Sequence, residues 1–147
     1  MSQEATLAEA GATGEALVLA LSDTERRVTR RLAHVLARHD CTVERWRVLA
    51  LLSGGEHHAM SELAEFTQLP PASATRLVDG LVADNLVHRK ADPGDRRRVL
   101  VHITARGQAL RRELSEAIAA EHDEIFSAAD ESRLARLLHA LSSLVPR

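Results

Sequence analysis

Tyrosine is absent from this chain of 147 residues, which holds two phenylalanines and one tryptophan, Trp46. Reading single strands or RNA by base stacking needs aromatic platforms, so that class of function has little to work with here. The single cysteine, Cys41, forbids an intrachain disulfide and fits a reducing compartment. No uninterrupted apolar run approaches the ~18 residues that a membrane span requires. Met1 to Gly14 contain neither the basic nor the apolar part of a secretory signal. A soluble, cytoplasmic protein with no membrane partner is therefore expected. Signatures of chemistry are missing too. The eight histidines (His34, His39, His57, His58, His88, His102, His122 and His139) form no His-x3-His pair, and Cys-x2-Cys does not occur. There is no Gly-rich phosphate loop, no His-Glu-x-x-His and no Gly-x-Ser-x-Gly elbow. The expectation is a protein without catalytic residues, metal or cofactor; its histidines are read as solvated, with His88 and His102 as candidate cross-strand neighbours on a hairpin, where each could touch phosphate or simply be wet.

Charge is present but unevenly spread. The formal net charge is −2, yet Leu86 to Arg106 carries Arg89, Lys90, Arg96, Arg97, Arg98 and Arg106 against Asp92 and Asp95, a local net of +4. A basic element on an acidic body offers phosphate one approach without making the whole protein a polyanion binder. A solvated charged loop fits the same numbers.

Hydrophobic periodicity orders the elements. Leu17, Val18, Leu21, Val28, Leu32, Val35 and Leu36 fall at helical spacing, and Asp40 and Cys41 follow the end. A second helix is predicted over Val43 to Leu52, stopped by Ser53-Gly54-Gly55. A short third helix is predicted after Ser61, read as its cap, to about Thr67. A fourth opens at Pro70-Pro71, where a missing N–H costs nothing, and spans Ala72 to Asp84. The third and fourth have helix-turn-helix dimensions. The period then changes: Leu86 to Ala91 and Arg98 to Ile103 are rich in β-branched residues, and Asp92-Pro93-Gly94-Asp95 between them is a turn in which Pro fixes φ and Gly accepts a positive φ. Thr104 is the expected N-cap of a long helix to about Ser127, with Leu110, Leu114, Ile118, Ile125 and Phe126 on one stripe. Asp130 is the expected cap of a last helix striped with Leu134, Leu137, Leu138, Leu141 and Leu144.

The fold class expected is mainly α with a small β-hairpin, in the order αααα-ββ-αα: a winged helix-turn-helix flanked by dimerisation helices. Residues 1–13 read as a disordered leader and 14–147 as a single domain. Its DNA-binding lobe would span about 43–104, and its dimerisation helices about 14–39 and 105–145. The terminal helices carry more leucine than one thin bundle needs, so a second copy would bury it across a two-fold axis.

A helix-turn-helix presents the N-terminal part of its second helix to the major groove. Pro71, Ala72, Ser73, Thr75 and Arg76 are the candidates there, with Ser61 on the helix before. Their hydroxyls and guanidinium can meet bases or phosphates, and the helix start offers N–H groups to phosphate. Ordinary surface decoration, and for Arg76 an ion pair with Asp79 or Asp84, are the competing readings. The hairpin adds Arg89, Asp95, Arg96, Arg97 and Arg98. Three arginines beside a tight turn suit a narrow minor groove, and Asp95 is read as holding an arginine fork by bidentate pairing.

The stretch from Asp92 to Thr104, DPGDRRRVLVHIT, resembles the wing signature of the MarR family of bacterial transcription regulators. Cys41 to Leu49 is similar to that family's second helix, and Met60 to Val87 to its helix-turn-helix. The resemblance covers about Leu17 to Leu144. It implies a homodimer on a pseudo-palindromic double-stranded DNA operator, with Pro71 to Asp84 as recognition helix, Arg97 in the minor groove and Asp95 orienting it. Pro70-Pro71 and the mid-helix Gly80 depart from the usual pattern. Members of the family sense small aromatic or phenolic ligands between the dimer helices and the DNA-binding lobe, or oxidise a cysteine, or bind zinc. His34, Trp46 and Arg47 are the candidate effector residues, a core role for Trp46 remaining open. Cys41 is the candidate redox residue, against an ordinary buried thiol. A repressor released by a small molecule is the leading expectation. A redox-sensing regulator and a winged-helix protein–protein adaptor without DNA binding are the alternatives.

Overall fold

The computed structural model describes residues 14–121 and 131–144. Its elements are α1 (Gly14–Ala37), α2 (Val43–Leu52), β1 (His58–Ala59), α3 (Met60–Thr67), α4 (Pro71–Ala83), β2 (Val87–Ala91), β3 (Val99–Ile103), α5 (Ala105–Ala120) and α6 (Glu131–Leu144). The expected leader 1–13, the continuation through Ile125 and Phe126 to Ser127, and the Asp130 cap lie outside the described residues. The described residues fall into two compact units, one holding 14–32, 121 and 131–144 and the other 33–120.

The second unit holds the core. Leu36, Val48, Leu49, Leu52, Leu63, Val78, Leu81, Val87, Val101 and Leu114 are all at most 1% exposed. Each such side chain contributes about 1.5–3 kcal/mol relative to leaving it in water. The helices end where the backbone is forced over. Asp40 (φ 51°), Gln68 (φ 57°) and Asn85 (φ 57°) take the left-handed conformation just past α1, α3 and α4. Cys41 N–H then closes on the Leu36 carbonyl at 3.1 Å, and Leu69 N–H on that of Ala64 at 3.1 Å. Thr42 caps α2, its hydroxyl accepting from Arg45 N–H at 3.3 Å.

The sheet departs from the expected lone hairpin. His58 and Ala59 form a third strand, giving the antiparallel order β1-β3-β2 with His58 opposite Val101 and Ala59 opposite Leu100. Two strands alone are marginal in water, and β1 supplies the missing edge. Two residues are too short a run to carry any period. The cap of α3 also differs: Ala59 occupies that position, and the Glu62 carboxylate accepts its N–H at 2.9 Å, while Ser61 sits one residue inside the helix. Gly94 does not use a positive φ; among the described glycines only Gly55 does.

The base of the hairpin is laced to α5. Thr104 hydroxyl donates to the Asn85 carbonyl at 2.7 Å and accepts Gly107 N–H at 3.0 Å, so the expected cap is also a tie to the end of α4. Gly107 lies so close to the incoming chain that a Cβ there would stand 2.1 Å from the Leu86 carbonyl oxygen.

The other unit, described by its own helices, buries little. Leu17 (51%), Val18 (62%), Leu19 (62%), Leu137 (54%) and Leu138 (54%) are open. No described helix is long and apolar enough to cross a membrane.

Candidate nucleic-acid interface

Helices α3 and α4 pack through Leu63, Thr67, Ala74, Val78 and Leu81, all buried. Thr67 is tolerated there because its hydroxyl donates to the Leu63 carbonyl at 2.7 Å. That packing turns Pro71, Ala72, Thr75 and Arg76 outward, with Ser73 half-buried. Pro70 is the N-cap of α4 and Pro71 its first residue. With proline at N1 and Ala74 N–H already bonded to the Pro70 carbonyl at 3.0 Å, Ala72 and Ser73 supply the N–H groups that a helix start leaves without an intrahelical carbonyl. Thr75 hydroxyl donates to the Pro71 carbonyl at 3.0 Å, which leaves it as an acceptor.

Arg76 pairs with neither of the acids expected to compete for it. Asp84 is taken by Arg45 from α2, and Asp79 by Arg89 from β2 at 2.7 Å. Arg89 therefore ties the wing to the recognition helix before any ligand arrives.

At the wing tip the aspartates build the turn itself. Asp92 Oδ1 accepts Gly94 N–H at 2.8 Å, and Asp95 Oδ1 accepts Arg97 N–H at 3.0 Å. Both are Asx turns, in which a short carboxylate reaches the backbone two residues on. The expected bidentate grip of Asp95 on an arginine fork is replaced by a grip on the Arg97 backbone, and Asp95 makes no ion pair among the described residues. Backbone bonds from Asp92 N–H to the Arg98 carbonyl (2.9 Å) and from Arg98 N–H to the Asp95 carbonyl (2.8 Å) close the loop.

The three tip arginines divide. Arg96 and Arg97 are exposed and make no ion pair among the described residues, whereas Arg98 donates to Glu62 Oε1 at 2.8 Å. Sequence reasoning misses Glu62. It also receives Ala59 N–H and lies 3.2 Å from His58 Nδ1, so one carboxylate joins α3, β1 and the end of the wing turn. Those donors, the Ala59 N–H foremost, hold its pKa below the usual carboxylate range. The available signal is its place three residues after a helix start, half of a capping box without the Ser or Thr partner. Between α3 and the wing lies an open cleft of about 310 Å³, lined by Ala59, Met60, Ser61, Arg97, Arg98 and Val99. Exposed Ser61 thus comes beside the tip arginines.

The candidate sensing residues sit elsewhere in residues 33–120. His34 is exposed in the last turn of α1, and Trp46 and Arg47 are half-buried on α2. Trp46 Nε1 is buried with no hydrogen-bond partner among the described residues. Cys41 is 6% exposed, and burial pushes its thiol pKa up against the opposing pull of Arg45. A redox sensor needs a lowered pKa and access; Cys41 has neither. Among the described residues no group of metal-ligating side chains could hold an ion.

A family model described as "MarR family" matches residues 39–98. The uncharacterised HTH-type transcriptional regulator YhbI of Bacillus subtilis is 30% identical, with 84% of this chain and 83% of that protein aligned. The HTH-type transcriptional repressor YetL of the same organism is 30% identical over 63% of this chain, and the match spans 57% of its own length. Among solved structures, a cysteine-to-serine mutant of E. coli MarR complexed with operator DNA superposes with a TM-score of 0.74 at 24% identity, covering 88% of this chain and 94% of that one. NadR in complex with 4-hydroxyphenylacetate gives 0.74 at 24% identity, covering 86% and 89%. At that identity the two structures establish the fold. The relatives are regulators of transcription, not enzymes. Fold, helix-turn-helix, wing and relatives agree: the chain belongs to the MarR family of DNA-binding, winged-helix transcription regulators.

Proposed function

We propose that this protein is a dimeric repressor that binds a pseudo-palindromic operator, placing α4 in the major groove and Arg97 in the minor groove. The observation that carries the reading is the division of the wing arginines. Arg98 and Arg89 are spent on Glu62 and Asp79, while Arg96 and Arg97 stand exposed on a turn fixed by two Asx bonds. A guanidinium on a rigid turn loses less entropy on entering a groove. Ser61, Ala72, Ser73, Thr75 and Arg76 face the same ligand from α3 and α4, in phosphate-positioning and base-reading roles. Repression rather than activation follows the name of YetL.

The second copy is supported by the open leucines of residues 14–32 and of α6, which a monomer would leave in water. For the effector, the orphaned Trp46 Nε1 favours a small aromatic acid near α2, the chemistry that NadR holds. Oxidation of Cys41 finds no support in a buried thiol of raised pKa.

The test is a duplex selected from a random pool. Arg97→Ala should weaken its binding by about 1–3 kcal/mol and relax the sequence preference under the wing. Equal affinity of variant and parent would make the wing a structural hairpin. Failure to select any duplex would return the adaptor reading.

A further inference from the structure

Three imidazoles stand in a row across the sheet. The ring centroids of His57 and His102 are 5.1 Å apart, and those of His102 and His88 are 5.2 Å apart with planes tilted by 11°. The strand register explains the row. His88 and His102 are direct cross-strand partners, and continuing the β1–β3 pairing one residue beyond His58 sets His57 opposite His102. Direct partners share a face. The strand period of two adds Lys90 to it, about 7 Å nearer the wing tip. His57 is exposed, and His88 and His102 are half-buried.

The groups acting on His102 are His57, from the segment before β1, and His88 and Lys90, from β2; every one is basic. Burial first, and then these neighbours, hold its pKa below the usual imidazole range. The carboxylates on the His57 side lie near His58 instead, Glu62 at 3.2 Å and Glu56 at 3.9 Å, and Asp92, beyond Lys90, accepts Gly94 N–H. The His88–His102 pair is a poor metal chelate, because its near-parallel rings aim their in-plane lone pairs side by side and not at a common centre. Among the described residues, no negative charge acts on His102 at the centre of the row.

We propose that His57, His88, His102 and Lys90 form a proton-gated strip for the phosphates of the DNA backbone beside the wing. This rests on the operator-binding reading above. If the tip enters a minor groove, the phosphates bordering that groove pass the faces of the hairpin, and this face meets them with the Lys90 ammonium and three imidazoles. In the free protein burial, and then the basic neighbours, oppose protonation of His102. A phosphate laid along the row supplies the opposite charge, raises the imidazole pKa values and draws protons in. Affinity therefore rises as pH falls, by about tenfold per pH unit for each proton taken up over the titrating range. Each new phosphate contact steepens the dependence of log K on log salt by about 0.9.

The experiment measures binding of the full-length protein to its selected duplex between about pH 5.5 and 8, at several salt concentrations, for the parent and for the His57→Gln, His88→Gln, His102→Gln triple variant. The expected result is tightening and a steeper salt slope at low pH in the parent, and a flat profile in the variant. A parent that binds tightly with no pH dependence, or a variant that keeps the parent's dependence, overturns the strip and leaves operator binding standing. A parent that binds no duplex at any pH overturns both. Imidazole proton resonances of the unmutated protein give a second readout should the variant fold poorly. Titration midpoints of the three histidines should move up when duplex is added. No movement, or equal movement with inorganic phosphate alone, overturns the assignment to the DNA backbone.

Discussion

Residues 33–120 and the unit formed by 14–32 with 131–144 use leucine in opposite ways. In the first, Leu36, Leu49, Leu52, Leu63, Leu81 and Leu114 are sealed from water by one chain. In the second, Leu17, Leu19, Leu137 and Leu138 are each more than half exposed. The hydrophobic effect makes no distinction between the two sets, so the difference is one of supply. The winged-helix unit has enough faces to close on itself, and the terminal helices do not. On the proposed dimer, stability of the fold and stability of the assembly are separable, and each can be attacked alone.

The largest expected effect comes from removing the leucines assigned to the proposed dimer. Deleting everything after Ser127 removes Leu134 to Leu144 and should give monomers or aggregates by light scattering. Operator affinity should fall by on the order of 100-fold or more, since a monomer engages one half-site without the avidity of two. The winged-helix core should keep its helical circular dichroism. A truncated protein that still dimerises at micromolar concentration would show that the exposed leucines of α6 are not what joins the copies.

Gly107→Ala attacks the self-sufficient unit instead. The new Cβ would sit 2.1 Å from a backbone carbonyl oxygen and 2.8 Å from Ile103 Cγ1, and neither a carbonyl nor a strand end packed against a helix yields cheaply. A loss of about 3 kcal/mol, the upper end for overpacking, is expected, seen as a melting temperature lower by ~10 °C or more. Gly80→Ala is the control from the same residue type. Nothing lies within 4 Å of its added Cβ, so removing a helix-interior glycine should stabilise the protein by about 0.5–1 kcal/mol. Equal effects of the two substitutions would mean that α5 does not press on the chain at Leu86.

These glycines mark the boundary of what is legible in the sequence. Helix faces, the α2 limits, Thr104 and the Asp-Pro-Gly-Asp turn follow from period and capping chemistry, which are local. Gly107 reads locally as nothing more than a weak helix residue. Its reason is the carbonyl of Leu86, brought there by a turn of the whole hairpin. The same holds for β1, whose two residues are a strand only because β3 lies alongside. At the site, the exposed arginines are visible from charge alone. Which of them are free is decided by Glu62 and Asp79, acids far from them in sequence. Asp95 is the instructive miss: an Asp two residues before an Arg can bind that residue's side chain or its N–H, and spacing does not choose. The Asx turn does.

The smallest expected effect tests the joint that Glu62 makes between the helix-turn-helix and the wing. Its carboxylate accepts from Ala59 N–H and Arg98 and is 3.2 Å from His58, and its pKa is lowered, the Ala59 bond being the main cause. A carboxyl group with a lower pKa folded than unfolded binds fewer protons in the native state. Its contribution is therefore complete above the ordinary glutamate value of about 4.3 and disappears as pH falls through the lowered folded value. Glu62→Gln keeps an acceptor for the Ala59 N–H but loses the charge that faces Arg98. With its side chain close to half exposed, the cost at neutral pH should be at most a few tenths of a kcal/mol. The informative quantity is the slope: urea unfolding between about pH 3 and 7 should give a parent that loses more stability on acidification than the variant, the two curves converging at the acid end. Parallel curves would mean that Glu62 is solvated in the native protein, and that the wing is held to α3 by the strand pairing of β1 and β3 without help from this ion pair.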